Sequence, residues 1–219
     1  MLRKEFISAI RDYTYLLEKN YPQKGIIKLI GDRYALSATE RTMLYRGVTT
    51  RSNIKKRKIK LARVREIHGQ VLHIDGYNVM LTVGNYLNGN TVFISNDNLL
   101  RDAAEMHGKV FRKEMMGRVL ALIIDDLKYL KTKECRFYFD RPVSRSGELS
   151  AHLNILLSEN KLNGSAATFD SADYPLKQAT RGIIATSDSS VIDHSGLKCF
   201  DLARHVVKRN FNAEFTDLR

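Results

Sequence analysis

The sequence contains few cysteines and no long apolar run. Its two cysteines, Cys135 and Cys199, are too few for a disulfide scaffold and lack the paired spacing of a zinc site, so we expect two buried, reduced thiols. No apolar stretch approaches the roughly 20 residues that span a bilayer. The N-terminal segment also carries charges where a signal peptide would be apolar. These absences predict a cytoplasmic protein with no membrane partner.

The motifs of several common enzyme classes are absent as well. No G-x-G-x-x-G follows a predicted strand, and there is no G-x-x-x-x-G-K-[ST] and no G-x-S-x-G. A dinucleotide or nucleoside triphosphate cofactor and a serine hydrolase are therefore not expected. The six histidines show no H-x-x-x-H spacing, so we expect most of them at the surface or satisfied within the core.

Positive charge is concentrated in the first third of the chain. Of the net charge of +12, residues 1–70 carry +11, with 17 Lys and Arg against 6 Asp and Glu, while residues 71–219 carry +1. Because phosphate contacts supply most sequence-independent affinity for nucleic acid, this asymmetry predicts a polyanion-binding element joined to a nearly neutral domain. The alternative is a solvated basic surface that aids solubility.

The first 66 residues predict a small helical unit. Apolar spacing predicts helices over 2–19, 24–30 and 38–47, and Ser37 followed by Glu40 is the capping-box pattern at the start of the third. The basic connector 51–65 is expected as an amphipathic helix or strand that lies against the following domain. The predicted organisation is a basic helical unit, 1–66, followed by a second domain, 67–219.

The second domain alternates short β-rich runs with helical stretches. Predicted strands cover 70–75, 91–95, 135–140, 165–170, 182–187 and 197–202, and predicted helices cover 78–87, 113–130, 146–161, 174–180 and 201–209. The segment 95–108, which contains His107, is expected as a long loop or short helix. Apolar strands that alternate with helices are typical of a parallel sheet covered on both faces. We therefore predict an α/β, Rossmann-like domain with a mostly parallel sheet flanked by helices.

Aspartates follow five of these six strands. They are Asp75, Asp97, Asp140, Asp170 with Asp173, and Asp188. Each taken alone is more often a helix cap or a turn residue. As a set at the carboxyl edge, where open parallel sheets bind ligands, they would repel one another unless a cation lies between them. Oxygen ligands suit Mg²⁺ or Mn²⁺, so the set predicts metal-assisted phosphodiester hydrolysis.

A family resemblance rests on IDGYNVML, residues 74–81, and GIIATSDSSVID, residues 182–193. These stretches resemble the opening and closing motifs of PIN-like domains of the NYN branch, which are mostly metal-dependent ribonucleases. The matching positions are Asp75 and Asn78 in the first motif and Thr186, Ser187 and Asp188 in the second. The whole chain is also similar to a prokaryotic family of unknown function in which a basic helical segment with the pattern GDRYxLSxxERxxLYRGV precedes such a domain.

The resemblance implies roles for individual residues. Asp75, Asp140 and Asp188 would hold the principal Mg²⁺ or Mn²⁺, Asp173 would support a second ion or orient the water, and Asn78 and Ser187 would fix the carboxylates or contact phosphate. Asp97, Asp170 and Asp193 are further supporting candidates. The chain departs from the family pattern at Ser190, where a second acid is usual. A non-catalytic RNA-binding module is therefore the competing hypothesis, and the basic excess argues against a third, a small-molecule phosphohydrolase.

Two segments are candidates for contact with RNA phosphates. The first follows Asp140 and contains Arg141, Ser144, Arg145 and Ser146, whose side chains or helix N-terminal amides suit phosphate, although Ser146 would equally serve as a helix cap. The second is the basic connector, with Lys55, Lys56, Arg57 and Lys58. RNA is accordingly the expected partner, and the sequence leaves homo-oligomer formation open.

Overall fold

The structure is a computed structural model that describes residues 2–104 and 113–219, without the side chain of Lys113. The helices are α1 (Lys4–Glu18), α2 (Gln23–Arg33), α3 (Ala38–Gly47), α4 (Arg51–Lys60), α5 (Gly76–Leu87), α6 (Lys113–Leu130), α7 (Ser146–Glu159), α8 (Asp173–Gln178), α9 (Ser189–His194) and α10 (Leu202–Phe211). The strands are β1 (Val71–Asp75), β2 (Val92–Ile94), β3 (Leu100–Asp102), β4 (Glu134–Asp140), β5 (Gly164–Phe169), β6 (Ile183–Ala185), β7 (Lys198–Phe200) and β8 (Thr216–Asp217). His107 lies outside the described residues.

Five strands form a parallel sheet in the order β5-β4-β1-β6-β7. Its strands present apolar side chains to both faces. Leu72 and Ile74 of β1 join the core formed with α5, α6, α7 and α10, whereas Ile184 of β6 packs against Leu176 and Val191 of α8 and α9. The protein is therefore an α/β fold with a parallel sheet flanked by helices and an all-helical N-terminal segment, as the sequence predicts.

A second sheet, in the order β3-β2-β8, corrects one part of the predicted organisation. The predicted strand 91–95 does not join the parallel sheet. Its central residues form β2, which pairs antiparallel with β3 in the segment expected as a loop or short helix. The C-terminal β8 pairs with β2 in parallel. Asp97 consequently lies in a hairpin turn of the second sheet and not at the edge of the main one.

The N-terminal helices pack on this second sheet. The capping box is present, with the Glu40 amide 3.2 Å from the Ser37 hydroxyl and the Ser37 amide 2.9 Å from the Glu40 carboxylate. Phe6 and Leu44 of the helical unit share one core cluster with Phe93 of β2 and Leu218 after β8. The helical unit therefore has a core of its own that is closed by the second sheet.

The basic connector is a helix, α4, and it contacts the α/β domain directly. The Lys60 ammonium donates to the carbonyls of Ile192 and Ser195, at 2.6 and 2.7 Å, near the end of α9. Beyond α4, the Ala62 amide donates to the Cys199 carbonyl at 2.7 Å. The connector therefore covers the outer edge of β7.

Two findings bear on the absences in the sequence. Cys135 and Cys199 are buried free thiols, as expected. Among residues 2–104 and 113–219, no helix is both long enough and apolar enough to cross a membrane.

Candidate active site at the carboxyl edge of the parallel sheet

Asp75 ends β1 and caps α5. Its Oδ1 accepts from the Asn78 amide at 3.3 Å, and its Oδ2 accepts from the Thr186 hydroxyl at 2.8 Å. The following Gly76 has no space for a side chain, because a Cβ there would lie 2.2 Å from a ring carbon of Phe139. The close approach of helix and strand holds the Asp75 carboxylate at the carboxyl edge of the sheet.

Asn78 and the segment after β6 are joined by hydrogen bonds. The Asn78 Oδ1 accepts from the Ser187 amide at 2.8 Å and from the Ser187 hydroxyl at 3.1 Å. The Asp188 amide donates to the Thr186 hydroxyl oxygen at 3.0 Å, and the Asp188 Oδ1 caps α9 by accepting from the Val191 amide at 3.0 Å. The residues of the two predicted motifs are thus brought together in one polar network.

Asp75 is a buried acid without a basic partner among these contacts. Its relative exposure is 7%. Burial raises the pKa of Asp75 to about 7 against the hydrogen bonds from Thr186 and Asn78, and the charges of Asp188 and Asp173 raise it further. Charges shift a pKa in this way only at short range, so Asp188 and Asp173 both lie close to Asp75. The structure therefore groups Asp75, Asp188 and Asp173 electrostatically.

Asp173 begins α8 and carries a counter-charge from its own helix. The Lys177 ammonium lies 2.8 Å from the Asp173 Oδ2 and 3.0 Å from the Ser190 hydroxyl. Ser190 is the position where the resemblance leads us to expect a second acid. A lysine ammonium therefore bridges the residues at which a second metal ion would be expected.

Asp140 ends β4, the strand next to β1. Strand β4 pairs Tyr138 with Asp75, so Asp140 is two residues further along its strand. Its Oδ1 accepts from the Ala172 amide at 2.8 Å. Burial, followed by the charge of Asp140, raises the pKa of Tyr77 to about 12. Asp140 therefore acts on Tyr77 through its charge, and none of its described contacts joins it to Asp75.

Asp97 and Asp193 belong to an ion-pair cluster, which corrects their assignment as supporting acids. The guanidinium groups of Arg57 and Arg101 each lie 2.7 Å from the Asp97 carboxylate, and Arg57 also pairs with Asp193 at 2.5 Å. Burial alone would raise the pKa of Asp97, but the charge of Arg101 and hydrogen bonds from Arg101, Ser95 and Arg57 lower it to about 2. Both carboxylates are neutralised without a metal ion.

The same cluster removes Arg57 from the phosphate-binding candidates, because its side chain is 5% exposed and its nitrogens are engaged by two carboxylates. Burial of Arg57 follows from the packing of α4 against α9, which a charge run in a sequence does not indicate. Lys55, Lys56 and Lys58 on the same helix are exposed. They remain available to an anionic partner.

The segment after Asp140 is mostly exposed. Arg141, Ser144 and Arg145 are at the surface, and Arg141 pairs with Asp170, whose side chain is 90% exposed. Ser146 is buried at the start of α7 and donates to the Arg141 carbonyl at 3.1 Å. Ser146 therefore supports the loop, and Asp170 is a solvent-exposed acid paired with Arg141.

A cleft of about 730 Å³, which we call the acid cleft, opens between the helical unit and this edge of the sheet. From the α/β domain it is lined by Asn78, Ser187 and Asp188, and from the helical unit by Arg46, Tyr45 and Asn53, among others. The Arg46 guanidinium lies 2.9 Å from Asp102 of β3. Sequence reasoning missed Arg46 and Asn53 because no periodicity or motif relates α3 and α4 to the strand ends of the α/β domain.

The donor set at the edge consists of oxygen atoms. Within the described ranges, no three His, Cys, Asp or Glu side chains form a ready-made metal-ligand group. The carboxylates of Asp75 and Asp188, with the Ser187 hydroxyl and the Asn78 amide oxygen, are the hard ligands that Mg²⁺ and Mn²⁺ prefer. Since Mg²⁺ commonly uses one or two carboxylates together with waters and substrate phosphate, this donor set is chemically suited to such an ion.

Comparison with known proteins finds two families. The family described as "Domain of unknown function (DUF5616)" matches residues 64–205, and the family described as "Protein of unknown function (DUF434)" matches residues 5–60. The chain is similar to an uncharacterized protein of Methanocaldococcus jannaschii, with 28% identity over 190 residues that cover 87% of this chain and 90% of the archaeal protein. No solved structure matches this chain.

Proposed function

We propose that this chain, which belongs to the DUF5616 family, is a ribonuclease of PIN-like type that hydrolyses RNA phosphodiester bonds with the help of Mg²⁺ or Mn²⁺. The proposal includes a cytoplasmic location. The observation that carries it is the Asp75 carboxylate, whose burial raises its pKa to about 7, with a further increase from the charges of Asp188 and Asp173. A buried acid that is destabilised by its neighbours is typical of a functional site.

Asp75 and Asp188 would hold the ion, with Asp173 and Asp140 nearest as further acids. When bound, a divalent ion stabilises negative charge on phosphate oxygens and lowers the pKa of a coordinated water. The raised pKa of Asp75 agrees with this role, because a cation next to the carboxylate offsets first the cost of burying its charge and then the repulsion from Asp188 and Asp173. The ion would therefore favour the ionised form of Asp75.

The remaining residues of the network position these acids. Thr186 donates to the Asp75 carboxylate and accepts from the Asp188 amide, so a single hydroxyl joins the Asp75 side chain to the backbone of Asp188. Asn78 holds the Ser187 backbone against the start of α5. On the opposite side of the cleft lies Arg46, which is partly exposed and pairs with Asp102 at 2.9 Å, and which would also contact a substrate phosphate. Together these contacts hold the acids rigid and place positive charge across the cleft from them.

The test is cleavage of single-stranded and structured RNA by the purified chain with Mn²⁺. Asp75→Asn and Asp188→Asn retain a helix-capping side chain and remove one negative charge each. We expect each to lower the cleavage rate by more than about 100-fold, since loss of residues that merely orient a metal ligand costs about 10–100-fold. The matched control is Asp170→Asn, which makes the same charge change at a side chain that is 90% exposed. Equal cleavage by wild type and Asp75→Asn would refute the proposal.

A second candidate function is an RNA-binding module without catalysis. The specific observation in its favour is Lys177, whose ammonium bridges Asp173 and Ser190 and neutralises part of the acidic edge. RNA binding that is insensitive to Mn²⁺, with no cleavage by wild type, would select this function. Cleavage that depends on both Asp75 and Mn²⁺ would exclude it.

A further inference from the structure

A second groove, of about 890 Å³, lies on the other side of α4 from the acid cleft. Asn53 and Arg57 of α4 line the acid cleft, whereas Lys58 and Ile59 line this groove. One side is formed by the connector from Lys58 to Glu66, and the other side by Arg204, His205 and Lys208 of α10. We call it the connector groove. It is separate from the residues to which we assign catalysis.

The lining of the connector groove is strongly basic. It includes six Lys and Arg residues, namely Lys58, Arg63, Arg65, Lys198, Arg204 and Lys208, against Glu66 and Asp201. Glu66 is already neutralised, since the Lys198 ammonium lies 2.5 Å from its carboxylate. Asp201 caps α10, and its two oxygens accept from the amides of Leu100 at 2.6 Å and Arg204 at 3.0 Å. Both acids are thus used by the fold.

Several of the cations, in contrast, have no acidic partner among the described residues. In the part of the chain that the structure describes, no carboxylate lies within 4.0 Å of the charged groups of Lys58, Arg65 or Lys208. All three side chains are exposed. Because they come from α4, from the turn Val64–Glu66 and from α10, the unpaired positive charge is spread along the groove and not concentrated at one point. This distribution suits a chain of phosphates better than a single anion.

Two further residues add contacts that bases would use. Ile59 lines the groove and is 80% exposed. Its apolar side chain can pack against a base, but it cannot hydrogen-bond to a phosphate. His205 is oriented by Asp126, whose Oδ2 lies 2.7 Å from His205 Nδ1 and whose side chain is fully buried. Within the described residues, Nε2 of His205 has no hydrogen-bond partner. A held imidazole with one unused nitrogen is suited to a ribose, base or phosphate group.

We infer that the connector groove binds the phosphate backbone of single-stranded RNA, outside the acid cleft and independently of divalent metal. The inference rests on the proposed function only in taking RNA as the ligand. The contacts are to phosphates, so recognition is largely independent of sequence and decreases steeply with salt. The groove would hold the part of an RNA strand that extends beyond the scissile bond.

The experiment measures fluorescence anisotropy of a labelled oligouridine of about 12 nucleotides, within the usual range for such grooves, in EDTA at several salt concentrations. The variant is Lys58→Ala/Arg65→Ala/Lys208→Ala. Its matched control is Lys4→Ala/Lys24→Ala/Lys28→Ala, which removes the same charge from exposed lysines of α1 and α2. We expect the groove variant to bind about ten-fold or more weakly at low salt. Its salt slope should fall by about 2, since each single-strand phosphate contact contributes about 0.7.

The control variant should bind as wild type does, and a melting curve on each variant checks that it is folded. Equal weakening in both triple variants would show that only net charge matters and would overturn the inference, as would an unchanged salt slope or no binding by wild type. Groove-dependent binding without any cleavage would support the inference and contradict the proposed function. Cleavage without groove-dependent binding would support the proposed function and overturn the inference.

Discussion

Asp75 and Asp97 are two buried aspartates that the same sequence pattern predicts, and the structure treats them in opposite ways. Each follows a short apolar strand, and their relative exposures are 7% and 1%. Asp97 is paired with two guanidinium groups and has a pKa of about 2, whereas Asp75 has a hydroxyl, an amide and two acidic neighbours and a pKa of about 7. The position of the counter-charge, and not the strand-end position, separates a structural acid from a candidate functional one.

The largest effect is expected from removing the charge of Asp97. Asp97→Asn leaves the buried Arg101 without a carboxylate and Arg57 with Asp193 alone. Breaking a buried ion pair on one side costs about 3–5 kcal/mol, so the free energy of unfolding in denaturant should fall by about that amount. Because the folded pKa lies below the unfolded value of 3.8, the wild-type contribution is complete above pH 4 and is lost as pH falls toward 2.

A loss below about 1 kcal/mol would contradict this expectation. It would show that Arg57 and Asp193 carry the contact between α4 and α9 without Asp97. The comparison between the two buried acids would then weaken, because Asp97 would no longer count as a structural residue.

Asp75→Asn should change the free energy of unfolding with the opposite sign to Asp97→Asn. The folded pKa is above the unfolded one, so the folded state binds more protons between about pH 4 and 7, and wild-type stability falls as pH rises through that window. The variant has no ionised side chain at this position, so we expect it to be more stable than wild type by about 4 kcal/mol at pH 8 and nearly equal to it at pH 4. Denaturant unfolding at both pH values measures this difference.

The same stability difference at both pH values would show that the effect comes from packing and not from charge. If the variant is more stable than wild type and cannot cleave RNA, then the ionised Asp75 lowers stability and is needed for activity. Loss of stability at pH 8 would contradict the electrostatic interpretation of the site.

Added Mn²⁺ should raise the melting temperature more at pH 8 than at pH 5.5. The ligand carboxylates must be ionised to bind metal, and the pKa of Asp75 is about 7. At a concentration of about 100 times Kd the expected stabilisation is about 2.7 kcal/mol. The matched control is Asp75→Asn/Asp188→Asn, in which the shift should disappear. An equal shift in wild type and double variant would place the ion elsewhere.

The parts of this site that could be predicted from sequence are those fixed by strand direction. In a parallel sheet all carboxyl ends lie at one edge, so Asp75 and Asp188 were expected to be neighbours, and Thr186 contacts both. The short strands β3 and β8 were missed because two or three residues carry no measurable periodicity, and their pairing with β2 joins segments up to about 120 residues apart in the chain.

The counter-charges could not be predicted either. Arg57 is 40 residues before Asp97, and its burial depends on how α4 packs against α9 and not on its place in a basic run. Lys177 lies one helical turn after Asp173, which a helical prediction does make visible. Its contact with Ser190 was not visible, because that contact depends on how α8 and α9 pack. Function at this edge therefore depends on tertiary contacts that strand-end patterns do not contain.

Lys177→Gln tests whether the positive charge of this lysine weakens metal binding by the acids at the carboxyl edge of the sheet. Removing the ammonium 2.8 Å from Asp173 makes the edge more negative, and a charge at such a distance contributes about 1 kcal/mol or more even in water. We expect affinity for Mn²⁺, measured by calorimetry, to rise by about five-fold, while stability changes by only about 0.3–0.5 kcal/mol. Unchanged or weaker Mn²⁺ binding would show that Lys177 does not act on the metal site.

The smallest effect is expected for Asp170→Asn. Asp170 also follows an apolar strand, and it pairs with Arg141 at 2.9 Å, but the two side chains are 90% and 62% exposed. Exposed pairs contribute about 0–1 kcal/mol because water screens both charges, so stability should change by less than about 0.5 kcal/mol, with no change in Mn²⁺ affinity. A larger loss in denaturant unfolding would mean that strand-end position matters by itself, since Asp170 shares that position with Asp75 but is 90% exposed.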